Sequence, residues 1–319
     1  MNITGKVLRV LPVRDLKTVD GTKKMVDLVI ADAFDYHRVS LWDENAALVL
    51  RGDIKPGDVL RIENASVPRE DSKGNAKRAN AGRYTKINRI SMSIAALSHA
   101  PPVHLTVLAV ARPEKGQVCI AGIDETGEWI RAQGIYENDI FDSTGGLNFK
   151  NFGITKIYVD EWRGRRPRRE DRFFVYCEGM DRVLTGEEKR AFLERNVDES
   201  VHSVFKDGRS LGLIKPRILQ VYEEQVRKRT GQKSHEVYIR FNFRDYSGRT
   251  YRRWSCRCDA FYKAWNDLKE RHRWTYGWRM HRYLKKHDTY FAIGLTYSDY
   301  GIARLEYGAY PMIVGVHVV

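Results

Sequence analysis

Apolar and polar positions alternate with a period of two over short runs along most of the chain, the pattern of strands buried on one face. Residues 3–11 (ITGKVLRVL), 25–33 (MVDLVIADA), 37–42, 59–63 (VLRIE) and 82–90 (GRYTKINRI) predict five strands. Between the first two lies a basic, polar loop, 12–24, ending in the turn signal Asp20-Gly21. Residues 43–50 read as a turn or helical piece. Pro56-Gly57-Asp58 reads as a tight turn, with φ fixed at the proline and free at the glycine. A polar loop covers 67–81.

A linker, 93–102, ends in two prolines. The alternation then resumes at 103–111, 117–123, 127–131, 153–160 and 172–178. Residues 186–195 (GEEKRAFLER) predict a short helix, with acids in its first turn and Arg195 in its last. Further strands are expected at 217–227, 236–244, 249–257, 289–296, 302–307 and 312–319. Asp259 is the expected N-cap of a helix whose apolar stripe is Phe261, Trp265 and Leu268. Five strands with a connector between the third and fourth are the layout of an OB-fold barrel; an SH3-type barrel is the shorter alternative. The expected fold is mainly β, three tandem OB-fold barrels with a few short helices, at 1–92, 103–200 and 201–319.

Charge changes this picture most. The net charge is +14 over 319 residues. Residues 201–287 hold 22 Lys and Arg against 8 Asp and Glu, which is the whole excess. Basicity gathered in one third of a chain points to a polyanion partner rather than to solubility alone. No apolar run is long enough to cross a membrane, and the start, Met1 to Lys6, runs directly into a strand pattern. No membrane partner and no signal peptide are expected. Cys119, Cys177, Cys256 and Cys258 lack the paired spacing of a zinc site, and the last two read as core residues on one strand face. A cytoplasmic, nucleoid-associated setting follows.

Several motifs carry a family resemblance. Gly5-Lys6-Val7-Leu8, Leu41-Trp42-Asp43, Pro56-Gly57-Asp58-Val59-Leu60, Ile62-Glu63-Asn64-Ala65 and Gly82 to Ile87 (GRYTKI) resemble the OB domains of archaeal replication protein A and single-stranded DNA-binding proteins. The likeness covers residues 1–92. Cys119 to Ile123, Gly127 to Arg131 and Ser210 to Ile214 are similar to a prokaryotic dual-OB domain, which implies that the second and third barrels pack as one unit. The resemblance implies that Trp42 stacks a base. It also implies two further aromatic platforms, where this chain has Ser66 and Arg69-Glu70-Asp71. Tight binding by the first barrel alone is therefore not expected.

The residues nominate three binding regions. In the first barrel, Trp42 shares an outward face with Ser40 if Val39 and Leu41 are core, and Tyr36, Lys77 and Arg78 are added to it; Phe34 and Tyr84 are further aromatics. The second region is Arg163, Arg165, Arg166, Arg168 and Arg169, preceded by Trp162, whose forked donors suit phosphate oxygens. A solvated, salt-bridged turn is its plain alternative. The third interleaves cations with rings: Arg252, Arg253 and Arg257, then Arg271, Arg273, Trp274, Tyr276, Trp278, Arg279, Arg282, Lys285 and Lys286. Cations track a strand's backbone and rings take its bases. Strict alternation puts Tyr251, Arg253, Ser255 and Arg257 on one face and Arg252, Trp254 and Cys256 on the other, with Trp254 in the core.

Catalysis finds little support. Asp160, Glu161, Glu170 and Asp171 would be the ligands of a metal-dependent nuclease, but six arginines beside them make ion pairing the simpler reading. No P-loop, HExxH or GxSxG is present. The expected function is non-enzymatic binding of single-stranded nucleic acid, DNA ahead of RNA, without a cofactor. A nucleic-acid-binding subunit of a repair, nuclease or defence complex, with helicase, nuclease or polymerase partners, is the alternative.

Overall fold

The computed structural model covers the 319 residues and describes all but residues 20, 69–76, 112–116, 143, 162–167, 207, 228–232 and 297–305, with side chains at 226–236 also left aside. It divides into two compact units, Met1–Pro102 and Val103–Val319.

The first unit contains β1 (Ile3–Val10), β2 (Arg14–Thr18), β3 (Gly21–Ala31), β4 (Tyr36–Trp42), α1 (Glu44–Leu50), β5 (Val59–Glu63), β6 (Arg78–Ala81) and β7 (Lys86–Arg89). The sheet runs β6-β4-β3-β1-β5-β7. β6 and β7 are two halves of one strand bent at residues 82–85, so the sheet returns on itself in the OB order. This corrects the single strand expected at 82–90. The expected loop 12–24 is also partly strand: β2 pairs with the start of β3 as a hairpin arm. β2 buries little, so its hydrophobic pattern is weak. Val7, Val26, Leu28, Ile30, Val39, Leu41, Leu60 and Ile62 form the core.

The second unit opens with a closed barrel, β8 (Val103–Ala111), β9 (Gln117–Ile123), β10 (Trp129–Tyr136), β11 (Gly153–Glu161) and β12 (Asp171–Val183), in ring order β10-β12-β11-β8-β9. After β10 the chain makes a single 3-10 turn, Glu137–Ile140. α2 (Gly186–Asn196) follows, started by a capping box in which Thr185 and Glu188 satisfy each other's backbone N–H groups. α3 (Val201–Lys206) and β13 (Leu211–Ile214), neither expected, lead into β14 (Arg217–Arg227), β15 (Lys233–Arg244), β16 (Thr250–Cys256), α4 (Asp259–Arg271), α5 (Tyr276–Lys286), β17 (Thr289–Leu295) and β18 (Pro311–Val318). Their sheet runs β13-β17-β18-β16-β15-β14. The strand expected at 302–307 lies outside the described residues up to 305, and Glu306 and Tyr307 form a turn. The N-cap of α4 is Cys258, one residue before the expected Asp259.

The two sheets of this unit share a core. Leu108, Trp129 and Phe152 from the first meet Leu211, Tyr290 and Val314 from the second, with Phe192 and Leu193 of α2 between them. A buried polar cluster adds to the junction. Arg131 Nε donates to Asp171 Oδ1 at 2.8 Å, and Arg131 also bonds Ser210, whose N–H and hydroxyl reach Glu170 at 2.5 and 3.0 Å. Two of the four acids weighed as metal ligands are thus spent on structure. Among the described residues no group of three His, Cys, Asp or Glu is placed to hold a metal, and no helix is long and apolar enough to cross a membrane.

Candidate nucleic-acid interface

On β4, Val39 and Leu41 are fully buried, so Arg38, Ser40 and Trp42 face outward. Trp42 is partly exposed, and its Nε1 donates to Asn80 Oδ1 on β6 at 3.4 Å. Tyr36 departs from expectation. It is buried, and the Lys77 ammonium lies 4.7 Å from its ring centre while also pairing with Asp35 at 3.3 Å. Its ring face is covered, so Tyr36 is a packing residue. Phe34 stacks on His99, and Tyr84 stands exposed at the bend between β6 and β7. Sequence reasoning passed over Arg14, Arg38, Asp27 and Asn80, which surround Ser40. The signal was present in β4, because Arg38 falls on Trp42's side of the alternation.

Of the second region, Arg163, Arg165 and Arg166 lie outside the described residues. Arg168 is engaged structurally: its N–H donates to Asp171 Oδ2 at 2.9 Å and its guanidinium to the Thr296 carbonyl. Arg169 is exposed and loosely paired with Glu128 at 3.4 Å. This separates Arg168 from the phosphate-binding role expected of it.

The third region resolves into two groups on different elements. The first is the outer face of β15 and β16. The pairing slips between Phe241 and Phe243, where Arg252 and Arg253 together oppose Asn242, and Arg253 takes φ +57°. This bulge breaks the expected alternation. Tyr251 and Trp254 both turn inward onto Phe243, while Arg252 and Arg253 both face solvent. Trp254, Cys256 and Cys258 are core residues. Burial pushes the Cys256 thiol well above its ordinary pKa, with Cys258 adding to it, and burial likewise raises Cys258. Arg257 lies 4.4 Å from the Tyr238 ring centre and Arg240 lies 5.2 Å from it. Glu224 takes Arg240 at 2.8 Å and Arg253 at 2.5 Å. Tyr238 and Arg240 were readable from 236–244 (EVYIRFNFR), where Ile239, Phe241 and Phe243 are the buried set.

The second group is α5. The stretch 271–287 reads as a connector in sequence because Gly277 interrupts it; in the structure Gly277 sits inside a helix. Met280 and Leu284 are buried, and Tyr276 reaches the same side. Tyr276 is therefore a second correction: its ring packs edge-on against Trp265 and its hydroxyl donates to Glu223 at 3.2 Å. Glu223 also accepts from Trp265 Nε1 at 2.7 Å and from Lys269 at 2.8 Å. Burial raises this carboxyl, but the bonds from Lys269, Trp265 and Tyr276 outweigh it and hold the pKa below the usual range. Outward lie Trp274, 91% exposed, and Trp278, 58% exposed, with Arg271, Arg273, Arg279, Arg282, Lys285 and Lys286 all exposed. Arg282 stacks over Trp278 at 5.3 Å. α5 packs on β14, whereas Arg252, Arg253 and Arg257 belong to or adjoin β16, whose sheet neighbours are β15 and β18.

No protein-family model matches the chain. Over 91 residues it is 32% identical to the single-stranded DNA binding protein Ssb of Saccharolobus solfataricus, a match that takes in 28% of this chain and 56% of that protein. The chain thus spans about half the length of the curated relative it matches. The solution structure of the replication factor A related protein from Methanobacterium thermoautotrophicum is 25% identical, with 28% of this chain and 79% of that one covered and a TM-score of 0.25. A replication protein A heterotrimer bound to single-stranded DNA is 11% identical, with 100% and 93% covered and a TM-score of 0.30. Over the 91 residues it matches, the archaeal relative supports the likeness to replication-protein-A and single-stranded DNA-binding OB domains.

Proposed function

We propose that this protein binds single-stranded nucleic acid, DNA ahead of RNA, and performs no chemistry on it. The observation that carries the reading is α5 with the end of α4 and the turn between them: two solvent-exposed tryptophans stand among six exposed cations in a stretch, 271–286, without a single acid. Large exposed rings beside unopposed cations suit the bases and backbone of a single strand. The archaeal relative, which its name describes as a single-stranded DNA binding protein, supports the same ligand class. We read the chain as three OB domains, roughly 1–92, 103–200 and 201–319, with the last two acting as one body.

The test is a salt titration of the full chain against labelled single-stranded DNA, single-stranded RNA and duplex DNA. Affinity for single strands should exceed that for duplex and fall with salt, with a slope of ~0.7 per phosphate neutralised. Salt-independent binding, or preference for duplex, would refute the reading. Strands incubated with Mg²⁺ or Mn²⁺ should stay uncut. A second reading, a nucleic-acid-binding subunit of a repair or nuclease assembly, is favoured by an apolar groove between α4, α5 and β18 lined by Phe261, Leu268, Met280, Leu284, Val316 and Val318. Retention of a helicase or nuclease on the chain, abolished by Leu268→Glu, would establish it.

A further inference from the structure

The first unit contains a cleft that the tryptophan-centred reading does not use. Asp27 on β3 is 1% exposed, yet it is a carboxylate. It accepts from Arg14 Nη2 at 2.5 Å, from Arg38 Nε and Nη2 at 3.2 and 2.5 Å, and from Ser40 Oγ at 2.5 Å. The register explains the gathering. Asp27 lies opposite Ser40, and Ser40 lies beside Asn80 on β6. Arg38 lies beside Arg78, and Arg14 comes from the β2 arm of the hairpin.

A buried carboxylate is costly to desolvate unless paired, and one cation would satisfy it. Here the carboxylate holds two. Arg14, Asp27, Arg38, Ser40, Arg78 and Asn80 line a half-open cleft of about 220 Å³. Three guanidinium groups and one carboxylate stand among these residues. Asp27 fixes the planes of two of them, so their forked donors need little further ordering to meet an anion. The cleft also adjoins Trp42, because Asn80, one of its walls, accepts the indole N–H.

The geometry points to a phosphate site: the cleft takes a phosphate group of a nucleic-acid strand whose adjoining base lies on Trp42, with Asp27 as the positioning residue for Arg14 and Arg38. This rests on the proposed function and deepens it, by giving the first barrel a phosphate grip where its further aromatic platforms are replaced by Ser66 and the residues after Pro68. The shared chemistry is a phosphate; an internal diester and a terminal monoester are its two sources.

The test uses the full chain and labelled oligothymidine ending in 5′-hydroxyl, 5′-phosphate or 3′-phosphate. Removing both cations would strand the buried Asp27, so the main variant combines Arg14→Gln and Arg38→Gln with Asp27→Asn, and Arg38→Lys keeps charge without the fork. The combined variant should bind about tenfold more weakly, with a salt slope lower by ~0.7 for each phosphate no longer neutralised. Arg38→Lys should keep the slope and weaken affinity. An equal weakening on all three strands identifies an internal phosphate. A weakening confined to one phosphorylated end identifies a terminal one. Affinity and slope unchanged on every strand, while wild type binds, overturn the inference and leave the proposed function standing. A second arm works without strand binding: inorganic phosphate should shift the Arg14 and Arg38 Nε–Hε resonances together, and no shift at either overturns the site.

Discussion

Lowering the pH from 7 to 5 should loosen the second unit through one buried histidine. His317 on β18 is 2% exposed and sits in the core shared by the two sheets, edge-on to Phe152 at 4.8 Å and paired in register with Tyr290. Its Nε2 is buried without a hydrogen bond of good geometry. Burial pushes its pKa down to about 4 from 6.5, the Leu108 carbonyl offsetting only part of the effect. The folded chain therefore leaves His317 neutral until pH nears 4, while the unfolded chain takes up a proton below about 6.5. In that window the unfolded state binds more protons, so stability falls as pH falls. A gap of about 2.5 units is worth about 3 kcal/mol in full, and about 2 kcal/mol of it disappears between pH 7 and 5. For a unit of this size that is a fall in Tm of roughly 4–8 °C. The groups nearest the ring, Phe152 and Tyr290, carry no compensating charge, and Lys189 lies beyond the far partner, 5.4 Å from the Phe152 ring. Calorimetry at pH 7 and 5 on wild type and His317→Leu isolates the histidine's effect, because the carboxylates titrate alike in both proteins. An equal pH response in the two would refute the argument.

Trp274→Ala and Trp278→Ala should each cost ~1–3 kcal/mol of strand affinity, read by fluorescence titration, and leave the melting temperature unmoved because both rings are exposed. Glu223→Ala should destabilise by about 1–3 kcal/mol in denaturant, since the indole N–H of Trp265 loses its acceptor. Because this carboxyl lies below its ordinary 4.5, its contribution is present above that pH and vanishes as pH drops below it, so acid melting of the wild type should be steeper than that of the variant. Arg131→Met removes the cation that the buried Asp171 pairs with at 2.8 Å and should cost ~3–5 kcal/mol, measured by urea unfolding. Gly315→Ala would place a Cβ 2.3 Å from the Leu108 carbonyl oxygen, so it should lower the melting temperature sharply or give insoluble protein.

Where one face of a strand is core and the other is wet, the sequence was readable. Val59 to Glu63 forms a strand at its expected bounds, and Trp42 faces outward because Val39 and Leu41 face in. Legibility fails where the backbone leaves its period. Nothing in RTYRRWSCR marks Arg253 as left-handed, so Tyr251 and Arg252, on the near side of the bulge, were assigned to the wrong faces while Trp254 and Cys256 were assigned correctly. It fails again where packing overrides a weak signal. Gly277 suggested a break, but the apolar positions Tyr276, Met280 and Leu284 recur every fourth residue and bury one side of α5. Exposure of a ring is a further property that residue type leaves open. Tyr36 and Tyr276 share the composition of a stacking platform, and only the positions of Lys77, Trp265 and Glu223 show that their faces are occupied.

The same distinction bears on the charge excess at 201–287. Of its 22 cations, Arg209, Lys215, Arg240, Arg249, Arg253, Lys263 and Lys269 stand in ion pairs. A phosphate arriving at Arg240 or Arg253 must compete with Glu224, so such a contact exchanges one anion for another and releases less counterion than an open cation would. Arg271, Arg273, Arg279, Arg282, Lys285 and Lys286 have no acidic partner among the described residues. Net charge therefore overstates the phosphate contacts available in this region. The salt slope should report chiefly the open cations around α5, while the Tyr238 cluster, held in place by Glu224, contributes geometry more than charge. Glu224→Gln separates the two: it should raise affinity and steepen the slope if Arg240 and Arg253 meet the strand, and leave both unchanged if only α5 does.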